Sequence, residues 1–329
     1  MSQTLELVCP AGTPAALKAA VDAGADAVYL GFRDATNARN FPGLNFSRED
    51  LKEGLDYAHR RGRKVFVAIN TFPTAGNPEP WHRAVDDSAA LGADAVILAD
   101  VGLLDYATRR HPDLRRHLSV QASASSPEAL AFYKREFGIL RAVLPRVLTV
   151  GEIETLNRTA GVETEIFAFG GLCVMAEGRC SLSSYVTGEA PNTSGVCSPA
   201  SHVRYEDTGE SLISRLGDIT VNVFSHDESA GYPTLCKGRY LAGGRAAYLF
   251  EEPTSLNTMN ILTDLMKAGV TAIKIEGRQR GRAYVAQVVA AFRAAVDAAA
   301  RGEAVKTNGL DGITEGGRQT SGAYSKSWH

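Results

Sequence analysis

Residues 20–31 read AVDAGADAVYLG, and this short stretch decides the fold class of the chain. It combines the end of a helix, a glycine that stops the helix and a short apolar strand. Residues 89–100 (AALGADAVILAD) and 265–277 (LMKAGVTAIKIEG) repeat the same order. Such a glycine is typical of the left-handed residue after a helix, and continuous apolar strands are typical of a sheet covered on both faces. The repeats therefore predict parallel strands that alternate with helices.

Further short apolar segments complete a set of about eight strands. Their starts lie near residues 5, 26, 64, 95, 118, 140, 163 and 271. Eight strands alternating with helices predict an α/β fold of the (β/α)8 TIM-like barrel type. A doubly wound open sheet is the alternative. Residues 10–14 (PAGTP), which follow the first strand, lack the G-x-G-x-x-G pattern of dinucleotide-binding folds.

The alternation is interrupted between residues 170 and 256, which are rich in Gly, Ser, Thr and Cys. This segment is too long for an ordinary loop, so we expect a functional insertion. Because it follows the seventh strand, it is predicted to lie at the carboxyl end of the barrel, where active sites of this fold form. We predict a barrel domain over residues 1–301, including the insertion. Residues 302–329 are expected to form a tail that packs on the barrel without much regular structure.

The charge of the chain is nearly balanced, with 35 Lys and Arg against 37 Asp and Glu. Nucleic-acid-binding domains usually have a basic excess, so nucleic acid is not the expected partner. The first residues lack the pattern of a secretory signal, and the longest apolar stretch, residues 167–176, is too short to span a membrane. We expect a soluble cytoplasmic protein. In that compartment clustered cysteines are more often metal ligands or catalytic groups than disulfides.

Four of the five cysteines fall in the insertion: Cys173, Cys180, Cys197 and Cys236. Four thiolates suit a 4Fe-4S cluster or a zinc ion. Structural zinc sites usually pair ligands with two to four residues between them, and the absence of such a pair disfavours zinc. Unliganded or redox-active cysteines are a third interpretation, since Cys is often buried for packing alone. Cys9 ends the first strand and is expected in the barrel core or at its mouth.

The segments around these cysteines resemble a known family. Residues 165–173 (EIFAFGGLC) and 178–183 (GRCSLS) resemble the signature of the collagenase-like peptidase family. Residues 231–240 (GYPTLCKGRY), 251–257 (EEPTSLN) and 274–280 (KIEGRQR) are most similar to its members for oxygen-independent ubiquinone biosynthesis. The resemblance spans nearly the whole chain.

This resemblance implies one 4Fe-4S cluster on Cys173, Cys180, Cys197 and Cys236. It also implies a heterodimer with a UbiV-like cluster protein that hydroxylates the ring of ubiquinone precursors without oxygen, with prephenate implicated as the oxygen source. Other members hydroxylate bases in tRNA or rRNA. The family's older name suggests a peptidase, although the chain has no H-E-x-x-H motif. Four cysteine ligands leave no open iron, so we expect electron transfer or structural organisation by the cluster.

Polar residues at the predicted strand ends are candidates for substrate binding, because barrel active sites form there. Arg33, Asn37 and Arg39 follow the second strand, Asn70 follows the third and Gln121 the fifth. The two arginines could bind the carboxylates of a prephenate-like donor, or they could make structural ion pairs instead. The amides either bind substrate or satisfy loop backbone.

Lys274, Glu276 and Arg278 alternate along the last strand, so their side chains are predicted to point to one side. Charged groups inside a barrel are costly unless they are paired or used in chemistry. We predict substrate binding by Arg278 and catalytic roles for Lys274 and Glu276, with Glu276 as a proton acceptor. An ion-pair layer that closes the bottom of the barrel is the alternative.

Overall fold

The predicted eight-stranded parallel barrel forms the core of the chain. This computed structural model describes residues 4–175, 180–190, 197–307 and 309–325. The barrel closes because its last strand pairs in parallel with both the first and the seventh. In chain order the barrel strands are β1 (Glu6–Pro10), β2 (Ala27–Leu30), β3 (Lys64–Ile69), β4 (Ala95–Leu98), β5 (Arg116–Leu118), β6 (Arg141–Val143), β7 (Glu163–Gly171) and, after the insertion, β14 (Ala272–Ile275).

Helices connect these strands and cover the outside of the barrel. They are α1 (Pro14–Asp22), α2 (Arg48–His59), α3 (Glu79–Leu91), α4 (Val101–Arg110), α5 (Pro127–Phe137), α6 (Val150–Ala160) and, beyond a short α7 (Leu182–Thr187) in the insertion, α8 (Leu262–Lys267) and α9 (Arg282–Ala300). Local sequence signals fix their ends. Ser47 and Asp50 form a reciprocal capping box at the start of α2. The three predicted stop glycines, Gly24, Gly92 and Gly269, have φ values of 103°, 83° and 82°, so their left-handed conformation is confirmed.

One strand boundary differs from the prediction. The fifth strand begins at Arg116, not near residue 118, and residues 120–122 form a 3₁₀ turn. The Ser119 side chain accepts a hydrogen bond from the backbone of Gln121, and Ser123 takes a positive φ of 52°. A side-chain bond of this kind competes with the extended ladder, which is why the apolar pattern overestimated the strand.

The barrel interior is apolar in part and charged in part. Val8, Tyr29, Phe66 and Ile97 pack together inside the barrel, separate from the apolar layer between strands and helices. Such a closed interior is a packed core and not a pore.

A buried ion-pair network crosses the same interior. Glu165 is 0% exposed, and its carboxylate contacts Lys274 Nζ at 2.7 Å and Arg141 Nη1 at 3.2 Å. Arg141 also pairs with Glu6 and Glu163, each at 2.8 Å. Burial lowers the pKa of Lys274, and the carboxylate of Glu165 opposes that effect. The network keeps every charged member compensated, as buried ions require.

The insertion carries two small antiparallel sheets of its own. They are formed by β8 (Val203–Asp207), β9 (Leu212–Leu216) and β10 (Ile219–Phe224), and by β11 (Arg239–Ala242) and β12 (Arg245–Tyr248). Leu216, Val221 and Leu235 form a separate small core beneath α7. Residues 176–179 and 191–196 of the predicted insertion lie outside the described residues.

The chain returns to the barrel through β13 (Ser255–Asn257), which pairs antiparallel with the end of β7. The tail then adds β15 (Gln319–Thr320) in parallel beside β13. Tyr324 is buried, and its hydroxyl donates a hydrogen bond of 3.0 Å to the carbonyl of Phe167. The described part of the tail, residues 302–307 and 309–325, is thus joined to the carboxyl end of β7; residues 308 and 326–329 are outside it.

Among the described residues, α9 alone is long and apolar enough to cross a membrane, judged by length and composition. Its apolar face includes Val285, Val289, Phe292 and Val296, which are all buried. The helix contacts α1 and β1, so this face packs in the outer layer of the barrel.

We expect Glu165→Gln to destabilise the barrel strongly. The change leaves Lys274 and Arg141 facing an uncharged amide in the interior, and breaking a buried ion pair costs roughly 3–5 kcal/mol. Urea denaturation followed by circular dichroism measures the free energy of unfolding. As a control, Glu154→Gln breaks an exposed pair with Arg158 and should cost about 0.5 kcal/mol or less. Equal losses in the two variants would contradict the assigned network.

Candidate functional site at the barrel mouth

A carboxylate held between two arginines lies at the carboxyl end of the barrel. Glu276 follows β14 directly, Arg39 belongs to the loop after β2, and Arg146 belongs to the loop after β6. Glu276 Oε2 contacts Arg146 Nη2 at 2.5 Å, and Oε1 contacts Arg39 Nη2 at 3.4 Å. The Arg146 guanidinium also lies over the ring of Phe167, 3.6 Å from its centroid. Three separate βα loops therefore meet at one carboxylate.

The electrostatics keep Glu276 ionised. Burial alone would raise its pKa, but the charges of Arg146 and Arg39 outweigh burial and hold the pKa below the ordinary value of 4.5. A carboxylate with a lowered pKa is a weak proton acceptor at neutral pH. Its ion pairs fix the two guanidinium groups in the mouth. The predicted catalytic role of Glu276 stays a prediction.

Arg278 brings a third guanidinium to the mouth. It is 5% exposed, its Nη1 has no hydrogen-bond partner, and within the described ranges no carboxylate pairs with it. Burial lowers the pKa of Arg278 to about 10. Gly31 leaves room for this group, because a Cβ there would lie 2.7 Å from Arg278 Nη1. A buried cation without a counter-ion is costly, so this position fits an anionic ligand.

The structure places the other predicted substrate residues in different surroundings. Asn37 is fully buried and holds its own loop: its amide donates to the Phe32 carbonyl at 2.5 Å and accepts from the Arg39 backbone at 3.0 Å. Asn70 accepts from the backbone of Ala38 at 3.0 Å. These two amides shape the loop that carries Arg39.

Gln121 and Arg33 differ sharply from each other. Gln121 is 7% exposed, and its Oε1 has no hydrogen-bond partner. Such an orphaned acceptor suits a ligand donor or a bound water. Arg33 is largely exposed, and its guanidinium pairs with Asp50 at 2.9 Å and donates to the carbonyl of Asn45. Arg33 therefore stabilises the start of α2 and does not join the group around Glu276.

Lys274 lies one interior position below Glu276. Its ammonium pairs with Glu165 and lies 3.8 Å from the centroid of the Tyr29 ring. It belongs to the interior network, which matches the ion-pair alternative raised by the sequence. Its catalytic role stays a prediction.

The four cysteines of the insertion lie near the mouth: Cys173 lines a cavity with Arg146, and Cys197 interacts with Arg39. The thiol of Cys236 is close enough to Cys173, Cys197 and Cys180 to interact with their charges. Burial, followed by the Cys173 thiolate, raises the pKa of Cys236 to about 12. Although much of Cys197 is exposed, partial burial raises the pKa of its thiol and the nearby Arg39 lowers it. The cysteines and the arginines thus share one region.

The sulfur atoms of the four cysteines are suitable donors for a soft metal centre. Their arrangement in the structure supports such a centre less well. Four thiols are the donor set that an iron–sulfur cluster uses, and Cys236 interacts electrostatically with the other three. In the part of the chain that the structure describes, however, no three His, Cys, Asp or Glu side chains stand together in an arrangement that would hold a metal ion. Cys173, for example, lies 3.4 Å from the carbonyl oxygen of Met175. The fifth cysteine, Cys9, is fully buried in the outer apolar layer.

A cavity of about 500 Å³ opens beside the first cysteine. Cys173, Leu172 and Arg146 line one side, and Arg318 and Ala323 of the tail line the other. A cavity of this size accommodates a small organic molecule.

Two residues of this region were missed by sequence reasoning. Arg146 comes three residues after β6, so the strand-end argument that selected Asn70 and Gln121 would have found it. Lys237 is buried and pairs with Glu315 of the tail. Its only sequence signal is its position next to Cys236.

Comparisons with known proteins give a consistent result. The family model described as peptidase family U32 matches residues 12–323. The chain is 32% identical to the tRNA hydroxylation protein P of Escherichia coli (strain K12), over 94% of this chain and 74% of that protein. It is 30% identical to the tRNA hydroxylation protein P1 of Bacillus subtilis (strain 168), over 89% of this chain and 63% of that protein.

The name of a third relative describes an enzyme that acts on ribosomal RNA. It is the 23S rRNA 5-hydroxycytidine C2501 synthase of Escherichia coli (strain K12), 31% identical over 90% of this chain and 40% of that protein. The chain therefore spans between two fifths and three quarters of the length of these relatives.

The ion pairs of Glu276 predict a pH dependence of stability. A carboxyl whose pKa is lowered by folding stabilises the protein above its ordinary pKa, and that contribution is lost as the pH falls through the folded value. The wild type should therefore be more stable than Glu276→Gln by roughly 2 kcal/mol near pH 7. This difference should shrink as the pH falls below 4.5.

Urea denaturation of both proteins between about pH 3 and pH 8, in steps of roughly one pH unit, measures the difference between their free energies of unfolding directly. Both proteins contain the same other acidic groups, so subtracting one free energy of unfolding from the other cancels the contribution of those groups to the pH dependence. A difference that stays constant, or grows, in acid would refute the assigned pairing.

Proposed function

Because the chain belongs to peptidase family U32, we propose that it is the iron–sulfur subunit of an oxygen-independent hydroxylase that acts on the ring of ubiquinone precursors, a UbiU-like role. The observation that carries this proposal is that Cys236 lies within electrostatic range of the other three insertion cysteines, near a barrel mouth that contains three arginines. Relatives whose names describe hydroxylation support the type of reaction.

The proposed ligands of a 4Fe-4S cluster are Cys173, Cys180, Cys197 and Cys236. When bound, such a cluster supplies single-electron chemistry at a potential that its surroundings set. Burial, followed by the charge of Cys173, raises the pKa of the Cys236 thiol, so binding to a cluster would require this thiol to lose its proton. Two of the four, Cys180 and Cys197, border segments outside the described residues.

The arginines are proposed to bind the oxygen donor, with prephenate as the candidate. Arg39, Arg146 and Arg278 bring three positive charges to the mouth, and Glu276 neutralises one of them. Carboxylates pair with guanidinium groups through two parallel hydrogen bonds. The orphaned Oε1 of Gln121 accepts a hydrogen bond from a hydroxyl-bearing ligand in this proposal.

The ring substrate is proposed to occupy the cavity beside Cys173. Leu172 and Ala323 give it apolar walls, and Arg146 connects it to the arginines of the mouth. The proposed location is the cytoplasm, where reducing conditions keep thiols available as ligands.

A UbiV-like protein is the proposed partner in a heterodimer. Among the described residues, every large apolar side chain that is more than half exposed belongs to the insertion: Tyr185, Tyr232, Leu241, Leu249 and Phe250. Exposed apolar surface of this kind is typical of a protein-binding face.

Hydroxylation of an RNA base is the second candidate function. The names of the curated relatives favour it. The balanced charge of 35 basic against 37 acidic residues favours the small-molecule substrate, since RNA binding depends on phosphate neutralisation. Mass spectrometry of quinone precursors and of RNA nucleosides, in cells with and without the gene, separates the two functions.

The cluster proposal predicts iron and sulfide in protein purified without oxygen. We expect about four irons and four acid-labile sulfides per chain, with a broad visible absorption band. Cys173→Ala should lose most of the iron, because one of four ligands is removed. Cys9→Ala is the matched control and should keep it, since Cys9 is buried in the outer layer. Zinc in the wild type, or equal iron in both variants, would overturn the proposal.

The donor site predicts a selective defect in Arg278→Met. Removing this guanidinium should lower kcat/KM for prephenate by about 10- to 100-fold, the usual effect of losing a charged hydrogen bond. The assay is oxygen-free hydroxylation by the chain together with its UbiV-like partner, and iron content reports on folding. Arg109→Met, which removes an exposed cation on α4, is the control and should remain active. Full activity of Arg278→Met would contradict this site.

A further inference from the structure

We propose that Lys237 and Glu315 form a positioning pair for the cysteine site, and that their two charges set the reduction potential of the cluster in opposite directions. The inference rests on the proposed function, because it assumes a cluster on the four cysteines. It adds a role for the tail, which supplies Glu315. It assigns neither residue to contact with substrate.

The pair is buried beside a proposed ligand. Lys237 follows Cys236 in a short 3₁₀ turn, and its side chain is 10% exposed. Its ammonium is ion-paired with the Glu315 carboxylate and donates a longer hydrogen bond of 3.5 Å to the carbonyl of Thr254. Burying a lysine is costly unless a carboxylate compensates it, so Glu315 is required where it lies.

Thr254 links this lysine to the first cysteine. Its carbonyl also accepts a hydrogen bond of 3.3 Å from the backbone of Leu172, the residue before Cys173. One carbonyl oxygen therefore holds the segment of Cys173 and the residue next to Cys236. The two proposed ligands are 63 residues apart in the chain, from position 173 to 236, and this contact fixes their segments relative to each other.

The position of Glu315 is equally determined by packing. Its backbone N–H donates to the side chain of Ser255 at 2.9 Å. Gly171, at the end of β7, leaves the space that the carboxylate occupies, since a Cβ there would lie 3.0 Å from Glu315 Oε1. The tail is thus fitted against β7 and β13 so that one acidic side chain reaches the lysine.

The charge of Lys237 extends to the whole site. It favours the ionised forms of Cys236, Cys197 and Glu276, which means that it lies within electrostatic range of all three. Lys237 therefore acts electrostatically on both the cysteines and the arginine-bound carboxylate of the mouth. A positive charge here stabilises the reduced cluster, which carries one more electron, and a negative charge destabilises it.

The test is a redox titration of the cluster in wild type, Lys237→Met, Lys237→Arg and Glu315→Gln. Dithionite donates one electron to the cluster, no bond is made or broken, and electron paramagnetic resonance reports the reduced fraction. We expect the midpoint potential to shift negative in Lys237→Met, to shift positive in Glu315→Gln and to stay near wild type in Lys237→Arg. Arg204→Met removes an exposed cation of the same insertion and should cause no shift.

Opposite shifts in the two charge variants support the inference, because a purely structural defect would move both in the same direction. Shifts of the same sign, or none, overturn it. If Lys237→Met holds no iron, the midpoint potential of Glu315→Gln, compared with those of wild type and Lys237→Arg, still shows whether the shift is positive as expected. A wild type without iron would refute the proposed function itself and this inference with it, which distinguishes the two failures.

Discussion

The compensation of charge inside a closed barrel is the constraint on which the rest of this structure depends. β14 pairs with both β1 and β7, so its inward positions have no access to bulk water at mid-barrel. Lys274 can lie there only because Glu165 faces it from β7. One interior position higher, Glu276 meets Arg39 and Arg146 in the same way. The network through the barrel thus ends in an arginine-rich mouth, and the arginines are held in place by the strand that closes the barrel.

Much of the fold could be predicted because its signals are local. A glycine after a helix and an apolar run of four to six residues report on backbone conformation within a few residues, so strand number and order followed from the sequence. The site is less predictable because its contacts join distant segments. Arg146 and Glu276 are 130 residues apart, and nothing near either one indicates the other. Arg33 and Arg39 lie in one loop, yet Arg33 turns to Asp50 and Arg39 to Glu276. The hydrogen bonds of Asn37 across that loop make the difference, and no residue pattern shows them.

The insertion joins this mouth to a region with different chemistry. Arg39 influences the thiol of Cys197, and Lys237 influences both the cysteines and Glu276, so the two groups of residues share one electrostatic environment. An anion bound by the arginines would therefore lie within range of any cluster on the cysteines. This proximity is the physical basis for our proposal that an oxygen donor and an electron carrier act in one barrel. The four cysteines were identified from the sequence, but their closeness to the arginines depends on β13 returning to β7.

The pairing of β15 with β13 also imposes an order on biosynthesis. The ribosome makes the barrel strands and all four cysteines of the insertion before it makes Glu315 and the residues of β15. Until those last residues emerge, Lys237 has no carboxylate and β13 has no neighbour on its outer side. The cysteine region of the nascent chain therefore lacks both contacts until residues 315–320 have been made. In the proposed function, a metal centre on these cysteines would acquire its complete surroundings only after residues 315–320 have packed against β13.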